Sequence, residues 1–315
     1  MPEKQIFKKI LVPADGSVSS LSAQEIAALI ARKLDSKVTV LNVVAHELMH
    51  TAMQDYFPGA DTDFAAAAVI TGEHVIPAQT PNQPSAIVRR KTADEITNWA
   101  HEKGEEILDE AVAFFRKKGV EVDQKLLKHV DPANSIINEV EKGKYGLVAM
   151  GRSAEKEQIP HLGSIAGKVS RHAKSSVLVS TGGKEQVSKI LVPVDGSKNA
   201  ESAAKHAGVL AKNLDAEISL LYVQESSLFG FRPELTKKIG ANILSKTAHL
   251  VKGVKTDQKL EQGDPAKVII QTADKGDYDM IVMGGKGHNA VRNFVMGSVS
   301  DHVLHYANRS VLLVK

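Results

Sequence analysis

One short stretch of the sequence has the residue pattern of a zinc protease, the H-E-x-x-H at His46–His50. On a helix, this spacing places two imidazoles one turn apart on the same face, where they bind zinc while the glutamate acts as a general base. Such a site needs a third ligand, and the candidates downstream are Glu73 and His74. Whether the pattern is functional depends on the structural element that carries it.

A second stretch of the sequence is suited to binding phosphate. Gly284 ends an apolar run, Gly287 follows after two residues, and the pair Gly297-Ser298 follows after nine more. Glycines let the backbone turn tightly and approach an anion, which successive amides and a helix N-terminus attract. The spacing predicts a phosphate-binding loop, although many strand-to-helix turns use glycine for structural reasons alone. The loop also carries three basic side chains, Lys286, His288 and Arg292.

The chain consists of two repeats, which decides the structural context of both patterns. The segments beginning at Ile10 and Ile190 align without a gap at a constant offset of 180, and both open with Ile-Leu-Val-Pro-x-Asp-Gly-Ser. Segments beginning at Asp131 and Asp264 align at an offset of 133. The first repeat therefore carries an insertion of about 47 residues, the difference between the two offsets, near residues 46–92.

Each repeat alternates strands and helices along the chain. In the first repeat, apolar and β-branched runs predict strands such as Lys37–Val44, and spacing of helical period predicts helices over Ser19–Leu34 and Thr92–Lys118. A further helix is expected over Pro132–Lys142, with Asp131 as its N-cap. The order predicts an α/β protein with two tandem doubly wound, Rossmann-like domains. Each domain is expected to have a five-stranded parallel sheet with helices on both faces.

The repeated Pro-x-Asp-Gly-Ser turn and the G-2x-G-9x-G-S spacing resemble the universal stress protein family, and the resemblance covers both repeats apart from the insertion. The chain is similar to a tandem member, with domains at 1–182 and 186–315. The resemblance implies that ATP, with Mg²⁺, binds in the second domain, where Asp195 and Val223 would hold the adenosine. Four further residues, Gly284, Gly287, Gly297 and Ser298, would surround the phosphates.

The first domain departs from the family pattern in its phosphate loop. Ala154 stands where the second glycine is expected, and Glu155 and Glu157 place negative charge where phosphate would lie. Only part of the site is retained, at Asp15, Gly151, Gly163 and Ser164. We expect the first site to bind ATP weakly or not at all.

The repeat alignment also bears on the H-E-x-x-H pattern. His46 follows directly after a predicted strand, and the equivalent connection in the second repeat has no histidine. The resemblance offers no groove for a protease substrate, so we favour an interpretation without metal. Two alternatives stay open: a structural or regulatory metal site, and histidines that line the neighbouring ligand cleft.

Composition and resemblance together favour a regulatory nucleotide-binding module in the cytoplasm. The formal net charge of +3 without a basic block gives no reason to expect nucleic-acid binding, and the lack of cysteine excludes thiol chemistry. No apolar run is long enough to span a membrane. Slow ATP hydrolysis is the alternative activity, with His288 and Asp301 as the nearest candidate bases. The resemblance implies that the last strands of the two domains, Val177–Ser180 and Val311–Val314, pair as an intramolecular pseudo-dimer, and a homodimer is possible.

Overall fold

A computed structural model describes residues 6–44, 86–128, 131–152, 162–182, 186–225, 233–285 and 296–315. The first half contains five strands: β1 (Lys9–Pro13), β2 (Lys37–Val44), β3 (Val122–Lys128), β4 (Leu147–Gly151) and β5 (Ser176–Ser180). Its helices are α1 (Val18–Leu34), α2 (Ala86–Lys117), α3 (Pro132–Gly143) and α4 (Ser164–His172). The predicted order of elements is therefore confirmed for this half.

The second half repeats this order of elements. Its strands are β6 (Lys189–Pro193), β7 (Glu217–Gln224), β8 (Thr256–Gln262), β9 (Met280–Gly284) and β10 (Ser310–Val314). Its helices are α5 (Lys198–Leu214), α6 (Pro233–Ala248), α7 (Pro265–Lys275) and α8 (Ser298–Tyr306), and a short 3₁₀ turn at His249–Val251 follows α6.

All ten strands form one continuous sheet in the order β3-β2-β1-β4-β5-β10-β9-β6-β7-β8. Pairing is parallel within each half, as predicted, and antiparallel between β5 and β10. At that junction Leu178 lies opposite Leu312, so the expected pairing of the last strands within one chain is confirmed. Because β5 and β10 cover each other, neither leaves an exposed edge at the centre of the sheet.

Each face of the sheet has one apolar core that crosses the junction. On one face α1 and α2 pack beside α5 and α6, and on the other α3 and α4 pack beside α7 and α8. Leu178 and Leu312 are both fully buried in the first of these cores. The two halves therefore share both of their hydrophobic cores.

The helix ends explain several residues that recur between the repeats. The dipeptides Leu34-Asp35 and Leu214-Asp215 end α1 and α5, and both aspartates adopt the left-handed conformation, with φ of 56° and 57°. Aspartate tolerates that conformation better than most residues that have a side chain. Asp131 caps α3 as predicted, since its Oδ1 accepts from the Asn134 backbone N–H at 2.9 Å.

Helix α2 is longer than the sequence predicted. It begins at Ala86 rather than Thr92 and ends at Lys117, so residues 86–92, assigned by the alignment to the insertion, are helical. In the part of the chain that the structure describes, no helix combines the length and apolar character needed to cross a membrane.

Candidate functional site

The order of strands creates a crevice in the second half at the carboxyl ends of β6 and β9. The chain runs outward from β6 to β7 and β8, then returns to place β9 on the other side of β6. Ligands of open α/β sheets bind at such reversals of strand order. Asp195 follows β6, Gly284 ends β9, and Val223 lies near the end of the adjacent strand β7. The structure therefore brings these three predicted site residues to the same edge of the sheet.

Asp195 forms the tight turn that connects β6 to α5. Its Oδ1 accepts from the Ser197 backbone N–H at 2.9 Å, and Gly196 takes a φ of +81° between them. Ser197 then caps α5 by accepting from the Ala200 N–H at 3.2 Å. The Asp-Gly-Ser repeat is thus an Asx-turn followed by an N-cap, and it fixes a half-buried carboxylate at the mouth of the crevice.

Gly284 has a packing role that its place in the motif did not reveal. A Cβ at this position would lie 2.9 Å from the carbonyl carbon and the Cβ of Asn199, in the first turn of α5. The same contact recurs in the first half, where a Cβ on Gly151 would lie 2.7 Å from Ser19 Oγ and closer still to the Ser19 backbone. Each glycine lets the N-terminus of a helix approach the end of the strand that the glycine terminates, β9 or β4.

The start of α8 provides the donors that an anion requires. Gly297 is the N-cap residue, and no side chain among the described residues caps the first turn. The backbone closes the preceding loop, because Gly297 N–H donates to the Gly285 carbonyl at 3.0 Å. Ser298 is exposed as the first helical residue. Backbone donors and the helix dipole therefore favour negative charge at this end of α8.

Ser300 links this helix to β9, and the motif did not identify it. Its buried hydroxyl donates to the Gly284 carbonyl at 2.9 Å, which ties the first turn of α8 to the end of the strand. The equivalent third residue of α4 is Ala166, which has no hydroxyl. The difference between Ser300 and Ala166 is a sequence signal that separates the second site from the first.

The pKa of the Tyr222 phenol depends in part on the charge of Asp195. Tyr222 lies in β7, and a Cβ on Gly240 of α6 would lie 2.5 Å from its ring, so the two elements pack closely. Burial raises the pKa of Tyr222, and the carboxylates of Asp195 and Glu225 raise it further because they disfavour the phenolate. Asp195 is therefore close enough to the end of β7 to affect charge there.

Replacing Asp195 by Asn should lower the pKa of Tyr222 but leave it above its ordinary value. The substitution removes one negative charge that opposes ionisation, while burial and Glu225 remain. Ultraviolet difference titration measures the phenol, and Tyr222→Phe identifies its contribution among the five tyrosines. An unchanged Tyr222 pKa in D195N would contradict this placement of Asp195.

The predicted site residues of the first half lie in a turn and a helix start equivalent to those of the second half. Asp15 Oδ1 accepts from the Ser17 N–H at 3.0 Å and also from the Ser17 hydroxyl at 2.6 Å. Gly163 caps α4 without a side-chain acceptor, and its N–H donates to the Arg152 carbonyl at 2.7 Å. Ser164 is the exposed first residue of that helix. The predicted residues of the weaker site are thus placed like those of the second half.

Several predicted residues lie outside the described part of the chain. They are Gly287, Lys286, His288 and Arg292 of the second loop, Ala154, Glu155 and Glu157 of the first loop, and His46, His50, Glu73 and His74 of the insertion. Within the described ranges, no three His, Asp or Glu side chains cluster closely enough to bind a metal ion.

Comparison with known proteins agrees with this architecture. The model of the universal stress protein family matches residues 6–180 and again residues 186–315. A universal stress protein of Methanocaldococcus jannaschii is 36% identical over 144 residues, which is 42% of this chain and 85% of that protein. A similar protein of Methanothermobacter thermautotrophicus is 30% identical over 144 residues, covering 42% of this chain and 97% of its own length.

The fold is shared with a solved protein along nearly its whole length. The crystal structure of a universal stress protein from Archaeoglobus fulgidus covers 98% of each chain, with a TM-score of 0.65 and 21% identity. The fold, the repeat and the two family matches lead to one assignment: the chain belongs to the universal stress protein family and carries two of its domains in tandem.

Proposed function

We propose that the second half binds one adenine nucleotide, ATP with Mg²⁺, in the crevice between β6 and β9. The observation that carries this proposal is the N-terminus of α8. In the described part of the chain no side chain caps its first turn, and the Ser300 hydroxyl holds that turn against the end of β9. An anion in front of Gly297 and Ser298 would accept from these backbone donors. Asp195 and the backbone at Val223 would hold the adenosine, and Gly284 and Gly287 would shape the loop.

We propose that the first half is weak or empty for ATP. Its α4 N-terminus is equally uncapped, but Ala166 replaces the serine that anchors α8. The loop of the first half also carries Glu155 and Glu157, whose negative charge disfavours phosphate. The two halves therefore provide a matched pair for experiment, since the same turn and helix occur in both.

The experiment that tests this function is titration of Mg-ATP into the wild type, Asp195→Ala and Asp15→Ala. A hydrogen bond to a charged group contributes about 1.5–3 kcal/mol, so D195A should weaken binding by roughly tenfold or more. D15A removes the equivalent turn in the first half and should leave ATP affinity unchanged. Equal affinities in all three proteins would refute the placement of the nucleotide.

The role proposed for this site is regulatory binding rather than dedicated catalysis. One candidate base, Asp301, accepts from both Nε and Nη2 of Arg171 at 3.2 and 3.1 Å, in an ion pair that joins the two halves. This ion pair gives Asp301 a structural role, so a catalytic role is not needed to explain its presence. A multiple-turnover assay distinguishes slow hydrolysis from binding.

Metal binding through His46 and His50 stays a separate hypothesis, which metal analysis of protein purified without chelator tests.

A further inference from the structure

Arg152 is a buried arginine that reaches from the first half into the second. It directly follows Gly151 at the end of β4 and is 5% exposed. Its Nη2 donates to the Leu304 carbonyl at 2.7 Å, and its Nη1 donates to the Ala307 carbonyl. Leu304 is in the last turn of α8, and Ala307 is the C-cap of that helix. Both guanidinium contacts therefore go to the C-terminal end of the helix whose N-terminus faces the proposed phosphate.

These contacts match the electrostatics of a helix end. The last carbonyls of a helix lack partners within the helix and carry partial negative charge, which a cation stabilises. No carboxylate among the described residues pairs with Arg152, and its Nε has no partner. Burial lowers the pKa of this guanidinium to about 10. A buried cation is costly to maintain unless its donors are satisfied, and the two α8 carbonyls satisfy donors on both terminal nitrogens of Arg152.

A second cation makes the reciprocal contact. Lys315 Nζ, from the second half, donates to the Ser170 carbonyl at 2.8 Å. Ser170 is the seventh residue of α4, as Leu304 is the seventh of α8, so equivalent carbonyls are bound in the two halves. The counterpart of Arg152 is Gly285, where a Cβ would lie 3.4 Å from Lys315 Cδ. In the second half, the aliphatic part of the Lys315 side chain therefore lies beside Gly285, the position equivalent to Arg152.

We propose that Arg152 is a positioning residue for the nucleotide site of the opposite half. Helix α8 has nine residues and is therefore about 13 Å long, so it moves as one rigid element. Fixing its last carbonyls fixes the direction of its first amides, which face the phosphates in the proposed function on which this inference rests. A residue of the first phosphate loop thereby orders the phosphate helix of the second half.

The inference predicts a selective loss of phosphate recognition. Arg152→Met keeps an unbranched apolar stem but removes both donors, so the C-terminal end of α8 should lose the two hydrogen bonds that help to fix its direction. Affinity for Mg-ATP should fall by about 2- to 30-fold, the range found for residues that act through a neighbouring element. Affinity for adenosine, which has no phosphate, should not change. In Arg152→Lys, the lysine can reach one carbonyl. The affinity of this variant for Mg-ATP should therefore lie between those of the wild type and R152M.

The experiment measures Mg-ATP and adenosine affinity, together with amide exchange of α8, in the wild type, R152M, R152K and Phe115→Leu. Phe115 lies in α2 and is fully buried in the core on the opposite face of the sheet, so F115L is the control for a general loss of stability. We expect faster exchange of α8 and weaker ATP binding in R152M, a smaller change in R152K, and neither change in F115L. Unchanged ATP affinity, or an equal loss for ATP and adenosine, would overturn the inference.

The same data separate the inference from the proposed function. A wild type that binds no ATP would refute the proposed function and with it the role of Arg152 in phosphate recognition. A wild type that binds ATP normally, with R152M identical to it, would refute only the role of Arg152.

Discussion

Replacing Gly297 by Asp is expected to abolish ATP binding without destabilising the protein. The backbone of Gly297, with φ of −65° and ψ of 146°, suits a residue with a side chain, so the substitution introduces no backbone strain. An aspartate there would accept from the first-turn amides of α8 as an N-cap, which stabilises a helix by a few tenths of a kcal/mol relative to glycine. The same carboxylate would occupy the amides that phosphate needs and would repel its charge.

G297D should stabilise the helix slightly while it abolishes ATP binding, so a loss of binding in this variant cannot be attributed to a loss of stability. Gly163→Asp is the matched control, because Gly163 is the equivalent uncapped N-cap of α4. Urea unfolding should show both variants at or slightly above wild-type stability, and Mg-ATP titration should show binding lost in G297D alone. Wild-type affinity in G297D would mean that α8 does not bind the phosphates.

Replacing Leu312 by Ala is expected to destabilise the whole chain by about 2–5 kcal/mol. Leu312 is fully buried at the junction of β5 and β10, opposite Leu178. Deleting its side chain leaves a cavity in a core to which both halves contribute. Because this core and the sheet are continuous, unfolding should remain a single transition.

The single tryptophan of the chain makes this prediction easy to measure. Trp99 lies in α2 of the first half, so its fluorescence reports that half, whereas circular dichroism reports both. In L312A the two signals should shift together, although the substitution is in the second half. Leu108→Ala, in the first-half core, is the control and should shift them in the same way. A fluorescence transition that stays at its wild-type position would show that the halves unfold independently.

The local elements were predictable because their causes lie within short stretches of the sequence. The apolar run Lys37–Val44 became β2 with the predicted bounds, and Asp131 caps α3 as expected. The gapless repeat also predicted equivalent strands in the two halves. Pairing of β5 with β10 was predicted from the family resemblance rather than from a local pattern, and the structure confirms it.

Other features escaped prediction because they depend on contacts between distant residues. Arg152 and Ala307 are 155 positions apart, so only the folded sheet shows that the first loop caps a helix of the second half. The motif assigned Gly284 to phosphate, whereas its packing against Asn199 requires glycine in any case. Ser300 lies outside the motif, although its absence from the first repeat marks the difference between the sites.

The most direct test of the account is to count the nucleotide carried by the protein. Freshly purified wild type, G297D and G163D are denatured by heat, and the released nucleotide is identified by mass and counted per chain. We expect about one ATP per chain in the wild type and G163D, and none in G297D. No nucleotide in the wild type, with none taken up when Mg-ATP is added, would contradict the account, as would two nucleotides per chain.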